Sequence, residues 1–523
     1  MTVSTGVRAF PLLSEAESLF RDGRNDQASF KVIQHLREHR DEPRGLALLG
    51  EIAMETGALV QAEQFLRRAM ALGNESPVVE LNLASAILRQ DRLTEALEMF
   101  TRLEPQVDDP QVTSTIAMIL DKLGRTGEAL EAHERLVAKD PDEVRYWILY
   151  GHSLRFAGRT DEAIAAYRRV VESDPERGEA WWSLADIKSK VLTDADVETM
   201  ESALAVAVDM LNIVPLHMAL GRGWHDRGEH SKAFDHYREG NRLRAETIRY
   251  DPNELTQEVD QFLRMAPAAP VQPSTGPTPI FLVSLPRSGS TLLEQILSRH
   301  PKIEATGELP HIRAIMRGAM ELRMRHAPVT VPQFIRSLRP DEKQALGADY
   351  LRRSAQHRRT DAPYFIDKMP ANWSDILFIN AILPQARFIE IRRDPMDCCF
   401  SNYTHHFGSA HAASFDLVHQ ARSCVDYTRL MDHVRSVAPS LMCSVRYEEL
   451  VEQPEPVLLR VLDYLGLEWD PALLSFYESD RTVRTPSAEQ VRRPLNRSGI
   501  GAWKPYAQWL GPLRDALGPL AKD

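Results

Sequence analysis

A chain of 523 residues exceeds what one hydrophobic core usually organises, so more than one domain is expected. Hydrophobic residues make up 43% and charged residues 26%, ordinary for a globular protein, and the net charge of -11 argues against a general binder of nucleic acid or of anionic membrane surfaces. No run of about 20 apolar residues occurs, and residues 1–13 lack the apolar stretch of a signal peptide, so neither a membrane span nor export is expected. The four cysteines, Cys398, Cys399, Cys424 and Cys443, form no CxxC pair and no zinc-ligand spacing. They read as buried reduced thiols, which fits a cytoplasmic address.

The first half repeats. Gly23, Gly57, Asp91, Gly124 and Gly158 follow one another at steps of 34, 34, 33 and 34, and Ala28, Ala62, Ala96, Ala129 and Ala163 keep the same steps. A Gly or Asp suits a tight turn between two helices, the small Ala lets those helices approach, and Asp-Pro at 140–141 and 174–175 closes two repeats. A degenerate copy spans Trp181–Leu211, and a clear one follows at Gly228, Ala233 and Tyr237. The pattern resembles the tetratricopeptide repeat, which implies an α-solenoid over 1–265, since one repeat cannot bury its own apolar face. The resemblance implies docking of a peptide or protein; a spacer or a homodimerisation arm is the plainer reading of the same repeats.

Residues 266–279 are rich in Pro, Thr and Ala and read as an extended linker that forms neither a helix nor a central strand. From 280 to 523 short apolar runs (280–285, 364–366, 388–391 and 442–445) alternate with helical patterns. That alternation predicts an α/β domain with a central parallel sheet.

The run Ile280–Ser284 is a buried-strand pattern, Pro286-Arg287-Ser288-Gly289-Ser290-Thr291 is a loop of small residues, and Leu292 onward opens a helix. Strand, short loop and helix N-terminus make an anion cradle, with hydroxyls from Ser288, Ser290 and Thr291. A nucleotide triphosphatase would carry GxxxxGK(S/T), and no such Lys is present. The loop resembles the 5′-phosphosulfate loop of sulfotransferases that use 3′-phosphoadenosine 5′-phosphosulfate (PAPS). A second segment strengthens the resemblance: Arg393-Asp394-Pro395 ends a strand, and Ser401 follows Arg393 by eight residues. In that family such an Arg and Ser hold the 3′-phosphate, a role suited to a guanidinium fork and a hydroxyl. The plainer reading of Arg393 is an ion pair with Asp394 or Asp397. Ser444–Leu450 resembles a later strand and turn of the same family, with Tyr447 either touching the donor or filling the core. Asn496–Lys504 resembles the family's C-terminal phosphate segment, with Gly501, Trp503 and Lys504 matching and Arg497 on a basic position.

The segments around Lys368 and Glu308 resemble the tyrosylprotein branch of that family. That resemblance implies Lys368 and Arg287 as cations on the leaving phosphate, Ser487 near the bridging oxygen, and Glu308 as the base that takes the acceptor's proton, with His311 as its fallback. The plainer readings are a solvated strand-end Lys and a Glu that stabilises a helix dipole. The expected activity is transfer of a sulfuryl group from PAPS, leaving adenosine 3′,5′-bisphosphate (PAP), to an acceptor hydroxyl such as a peptide tyrosine, with no metal. A repeat scaffold with an inactive nucleotide domain and a P-loop kinase of a small hydroxyl compound are the alternatives.

Overall fold

A computed structural model describes residues 10–267, 276–324, 329–478 and 491–521. It divides into two compact units, Met1–Leu136 with Arg313–Val329, and Val137–Ile312 with Thr330–Asp523. In the first unit helices pair as hairpins: Pro11–Arg21 with Asn25–Glu38, Pro43–Glu55 with Leu59–Ala71, and Pro77–Arg89 with Leu93–Leu103. Prolines open the first helix of each pair, where a missing N–H costs nothing. The hairpin turns sit where the repeat places them, with φ +73° at Gly23, +79° at Gly57 and +57° at Asp91. The recurring alanines 28, 62, 96 and 129 are fully buried between the helices. From the inserted helix, Glu321 accepts the N–H groups of Val60 (3.3 Å) and Gln61 (3.1 Å), setting a carboxylate on the positive end of Leu59–Ala71.

The second unit opens with two regular helices, Val144–Phe156 and Thr160–Ser173. The degenerate copy follows. Its first helix is short, Gly178–Ala185, and residues 186–193 replace the tight turn before Asp194–Val206. Two non-glycine residues of that loop, Lys188 (φ +60°) and Lys190 (φ +54°), hold left-handed conformations. Met210–Asp226 and His230–Glu246 then restore the repeat.

Five parallel strands form the sheet: β1 (Thr278–Val283), β2 (Ile303–Ala305), β3 (Tyr364–Asp367), β4 (Arg387–Arg392) and β5 (Met442–Arg446), in the order β2-β3-β1-β4-β5. β2 was not legible in the sequence, because a three-residue edge strand carries too few apolar positions. Ile280, Phe281, Leu282 and Val283 are wholly buried, as a strand covered on both faces requires. β1 starts inside the Pro-rich run, contrary to the expectation that this run excludes a central strand. Pairing with β3 begins at Thr278, whose N–H donates to the Pro363 carbonyl (2.8 Å), whereas pairing with β4 begins only at Ile280. Pro279 therefore falls where a donor toward β4 is not yet needed. Successive strands turn from one side of β1 to the other, and ligands of such sheets bind outside the carboxyl ends at that switch.

Candidate active site

At the carboxyl end of β1 the chain turns through Arg287 (φ +64°) and Gly289 (φ +97°) into the helix Ser290–Leu297. Left-handed residues just before a helix N-terminus are the backbone of an anion nest. The loop is pinned from one face of the helix Pro395–Tyr403. Asn402 donates through Nδ2 to the Pro286 carbonyl (2.9 Å), Cys398 Sγ lies 3.3 Å from Ser288 Oγ, and Ser401 Oγ accepts from Arg287 Nε (3.3 Å). Positions 398, 401 and 402 share a helical face, which is why one short helix can hold three successive parts of the loop. Asp394 caps that helix by accepting the Asp397 N–H at 2.9 Å.

Arg393 does not pair with Asp394 or Asp397. It donates to the Arg287 carbonyl (2.9 Å) and the Gly499 carbonyl, and its guanidinium lies 5.2 Å from the Tyr447 ring centre. Its Nε is buried without a partner, as is Ser284 Oγ at the end of β1. Asp397 accepts the N–H groups of Gly501 (2.7 Å) and Trp503 (3.2 Å), tying the C-terminal segment to the same helix. Tyr447 packs on Gly289 so closely that an added Cβ there would meet its Cδ2 at 2.5 Å.

These residues border a cavity of about 690 Å³, lined by Arg287, Gly289, Thr291, Arg393, Ser401, Tyr447 and Gly499 among others. Ser288 (2% exposed) and Ser290 (5%) sit in the loop behind it. Arg497 is not brought there: it is exposed and pairs with Glu452 at 3.2 Å, while its neighbours Asn496 and Ser498 line the cavity. Ser487 lies outside the described residues. Glu308 and Lys368 stand together beyond the cavity lining, at the ends of β2 and β3. Lys368, 1% exposed, pairs through Nζ with Glu308 Oε1, and its N–H donates to the Gly307 carbonyl at 2.8 Å. His311 is wholly buried against His357, with ring centres 5.2 Å apart, and both of its nitrogens lack partners. Burial, with His357 and Arg353 beside it, pulls its imidazole down to about 3, so it is neutral and away from solvent.

Residues 279–471 match the sulfotransferase family, and residues 13–77, 53–119 and 122–187 match tetratricopeptide repeats. Residues 279–471 are thus a sulfotransferase-family segment that follows tetratricopeptide repeats in the sequence. An uncharacterized protein of Aquifex aeolicus is 29% identical over 62% of this chain and 44% of its own length. Protein-tyrosine sulfotransferase 2 of Gallus gallus is 25% identical over 43% of this chain and 62% of its own. Nodulation protein NoeE of Sinorhizobium fredii is 28% identical over 39% and 52%. The chain thus covers less than two thirds of each of these relatives.

Several residues of the sulfotransferase domain and its surroundings carried no signal that sequence reasoning used. Asp367 accepts the Tyr350 hydroxyl (2.9 Å) and the N–H groups of Met369 (3.1 Å) and Leu309 (3.5 Å), bracketing both Lys368 and Glu308. Burial pushes its carboxyl up to about 7. Asp186, Lys188, Arg222 and His225, all from the repeats, and His405 also line the cavity. The lost period at Trp181–Leu211 is the one trace of Asp186 and Lys188 in the sequence, and Arg222, His225 and His405 left none.

Proposed function

We propose that this chain transfers a sulfuryl group from PAPS to an acceptor hydroxyl and releases PAP. The observation that carries the reading is that two motifs more than a hundred residues apart close on each other: Arg287 Nε donates to Ser401 Oγ, and Arg393 donates to the Arg287 carbonyl. A loop built for a phosphosulfate and a pair suited to a 3′-phosphate then serve one ligand. The residues fit that ligand: Arg393 keeps a buried Nε without a partner, and Gly289 brings backbone close to the Tyr447 face.

In this reading Arg393 and Ser401 hold the 3′-phosphate, and Ser288, Gly289, Ser290 and Thr291 hold the 5′ end with their hydroxyls and backbone. Arg287 and Lys368 place positive charge where the bond from sulfur to the bridging oxygen breaks, and preorganised charge of this kind is usually the largest catalytic contribution. Glu308 takes the proton as the acceptor oxygen bonds to sulfur. Its side chain is 40% exposed, so an acceptor can reach it while Lys368 holds it in place. Glu308 is preferred to His311, which is sealed in the interior. Two relatives bear tyrosine-sulfotransferase and nodulation names, and the pairing of Lys368 with Glu308 favours a tyrosine of a peptide or protein as acceptor. The repeats of 1–265 then serve as a docking arm, joined by 266–279 to the catalytic domain 280–523, in a cytoplasmic protein.

The test is incubation with sulfur-labelled PAPS and a tyrosine-containing acidic peptide, with PAP or ATP as competitor. Label in the peptide, suppressed by PAP and not by ATP, is expected. Suppression by ATP alone would replace the reading with that of a kinase-like site.

A further inference from the structure

The cavity that holds the two motifs has a second wall, and that wall belongs to the repeats. The irregular loop after Gly178–Ala185 brings in Asp186 and Lys188, and the helix Met210–Asp226 brings in Arg222 and His225. Asp186, 5% exposed, anchors the loop: Arg155 donates to its carboxylate and to its carbonyl, both at 3.0 Å, and Lys188 Nζ lies 3.4 Å away. His405 Nδ1 is 3.5 Å from the same carboxylate, but burial keeps that imidazole well below its ordinary range, so it is a neutral neighbour rather than a counter-ion. Burial alone would raise the Asp186 carboxyl, yet the charges of Lys188, Arg155 and Arg287 hold it below the ordinary carboxylate range. Holding Lys188 and Lys190 in the left-handed region strains the loop, and such outliers gather at ligand sites.

Charge decides what the wall faces. Among the described residues lining the cavity, five are cations (Lys188, Arg222, Arg287, Arg393 and Arg493) and two are carboxylates (Asp186 and Asp397). The lining includes the Arg393 end of the site and excludes Glu308 and Lys368, where the chemistry is placed. The repeat cations therefore address the nucleotide rather than the acceptor.

We propose that the repeats form part of the donor site, with Lys188 and Arg222 joining Arg393 and Ser401 around the phosphate on the ribose 3′ position. The proposal rests on the PAPS reading above. A repeat array that completes a nucleotide pocket differs from one that only docks a partner, because donor affinity then depends on residues outside the sulfotransferase domain.

Calorimetry on the intact chain with PAP and with adenosine 5′-monophosphate tests it in the absence of any acceptor. Lys188→Met is the first variant, since Asp186 keeps Arg155; Arg222→Gln is the second, Lys188→Arg the charge-restoring control, and circular dichroism the check on folding. Lys188→Met is expected to weaken PAP tenfold or more, to change monophosphate binding less than about twofold, and to be rescued by Lys188→Arg. Should Lys188→Met and Arg222→Gln, both folded, bind PAP within twofold of the unmodified protein, the proposal is overturned while the PAPS reading stands. Equal weakening of both ligands also overturns it, since the 3′-phosphate would not be what the wall senses. An unmodified chain that does not prefer PAP to the monophosphate would overturn the PAPS reading itself.

Discussion

Gly289→Ala isolates the contact that joins the phosphate loop to the ring behind Arg393. The alanine would have to hold φ +97° and would set its methyl carbon 2.5 Å from Cδ2 and 3.1 Å from Cε2 of Tyr447. Left-handed backbone costs an L-residue about 1–2 kcal/mol. Carbon atoms rest at roughly 3.5–4.0 Å, so the ring must retreat by about 1 Å. Gly499 runs close to the hydroxyl end of the same ring, where an added Cβ would lie 2.8 Å from Tyr447 Oη. Overpacking of this kind adds about 1–3 kcal/mol. The sum, about 2–5 kcal/mol, is divided between stability and the geometry of the Arg393–Tyr447 stack. A PAP affinity lower by ten-fold or more by calorimetry is expected, with a lower melting temperature. Tyr447→Ala in the same chain should recover the steric part and leave the backbone part. Unchanged PAP affinity and melting in Gly289→Ala would refute the reasoning, since both costs follow directly from the backbone.

Three further outcomes follow from the same geometry. Glu308→Gln should abolish transfer of label while PAP binding by calorimetry stays within about twofold, because Glu308 lies outside the nucleotide cavity; retained transfer would remove its role as base. Lys368→Met should lower turnover roughly 10²- to 10³-fold with little change in PAP affinity. The fold should hold, because the partner left behind, Glu308, is 40% exposed and keeps its water. PAP binding should weaken as pH rises from 7 to 9. Burial, with Arg287, Arg222 and Arg155 around it, pulls Lys188 down to about 7 against the opposing pull of Asp186. The ammonium is thus partly lost in the free protein above pH 7, and a bound dianion restores it, so binding takes up a proton at pH 8. Calorimetry in buffers of different ionisation heat measures that uptake, which Lys188→Arg should remove; no uptake in the unmodified chain would exclude Lys188 as a phosphate contact.

Local patterns were legible and long-range ones were not. The turn glycines and buried alanines of the repeats show in the sequence because each depends on helices adjacent along the chain. The loop 286–291 shows for the same reason: strand, turn and helix N-terminus are contiguous. Arg393 and Ser401 were readable because one strand and one helix fix their spacing, and the structure sets both on the loop. Arg497 shows the limit. Its segment is close-packed through Gly499 and Gly501, but in a turn adjacent side chains diverge, and its guanidinium reaches Glu452 instead of the cavity. Asp367 gave no signal because a buried carboxylate between two strand-end residues looks like any Asp in Phe-Ile-Asp-Lys until Tyr350 is seen donating to it.

The buried cluster around Asp186 bears on why the repeat array loses its period at that point. Charges taken from water cost several kcal/mol each, and a well-packed apolar core is often as stable as a buried ion pair. Stability alone therefore gives little reason to set Asp186, Arg155 and Lys188 together, or to hold Lys188 at φ +60°. The second unit's other helix hairpins manage with a tight turn, as at Gly158 and Gly228, both at φ +79°. Among the described hairpins of this unit, the Gly178–Val206 copy exchanges its turn for a longer, charged loop, and that loop lines the cavity. What the exchange provides is a cation aimed into a space already lined by Arg287 and Arg393. A docking groove would not require that placement, whereas a site for a polyanionic donor would.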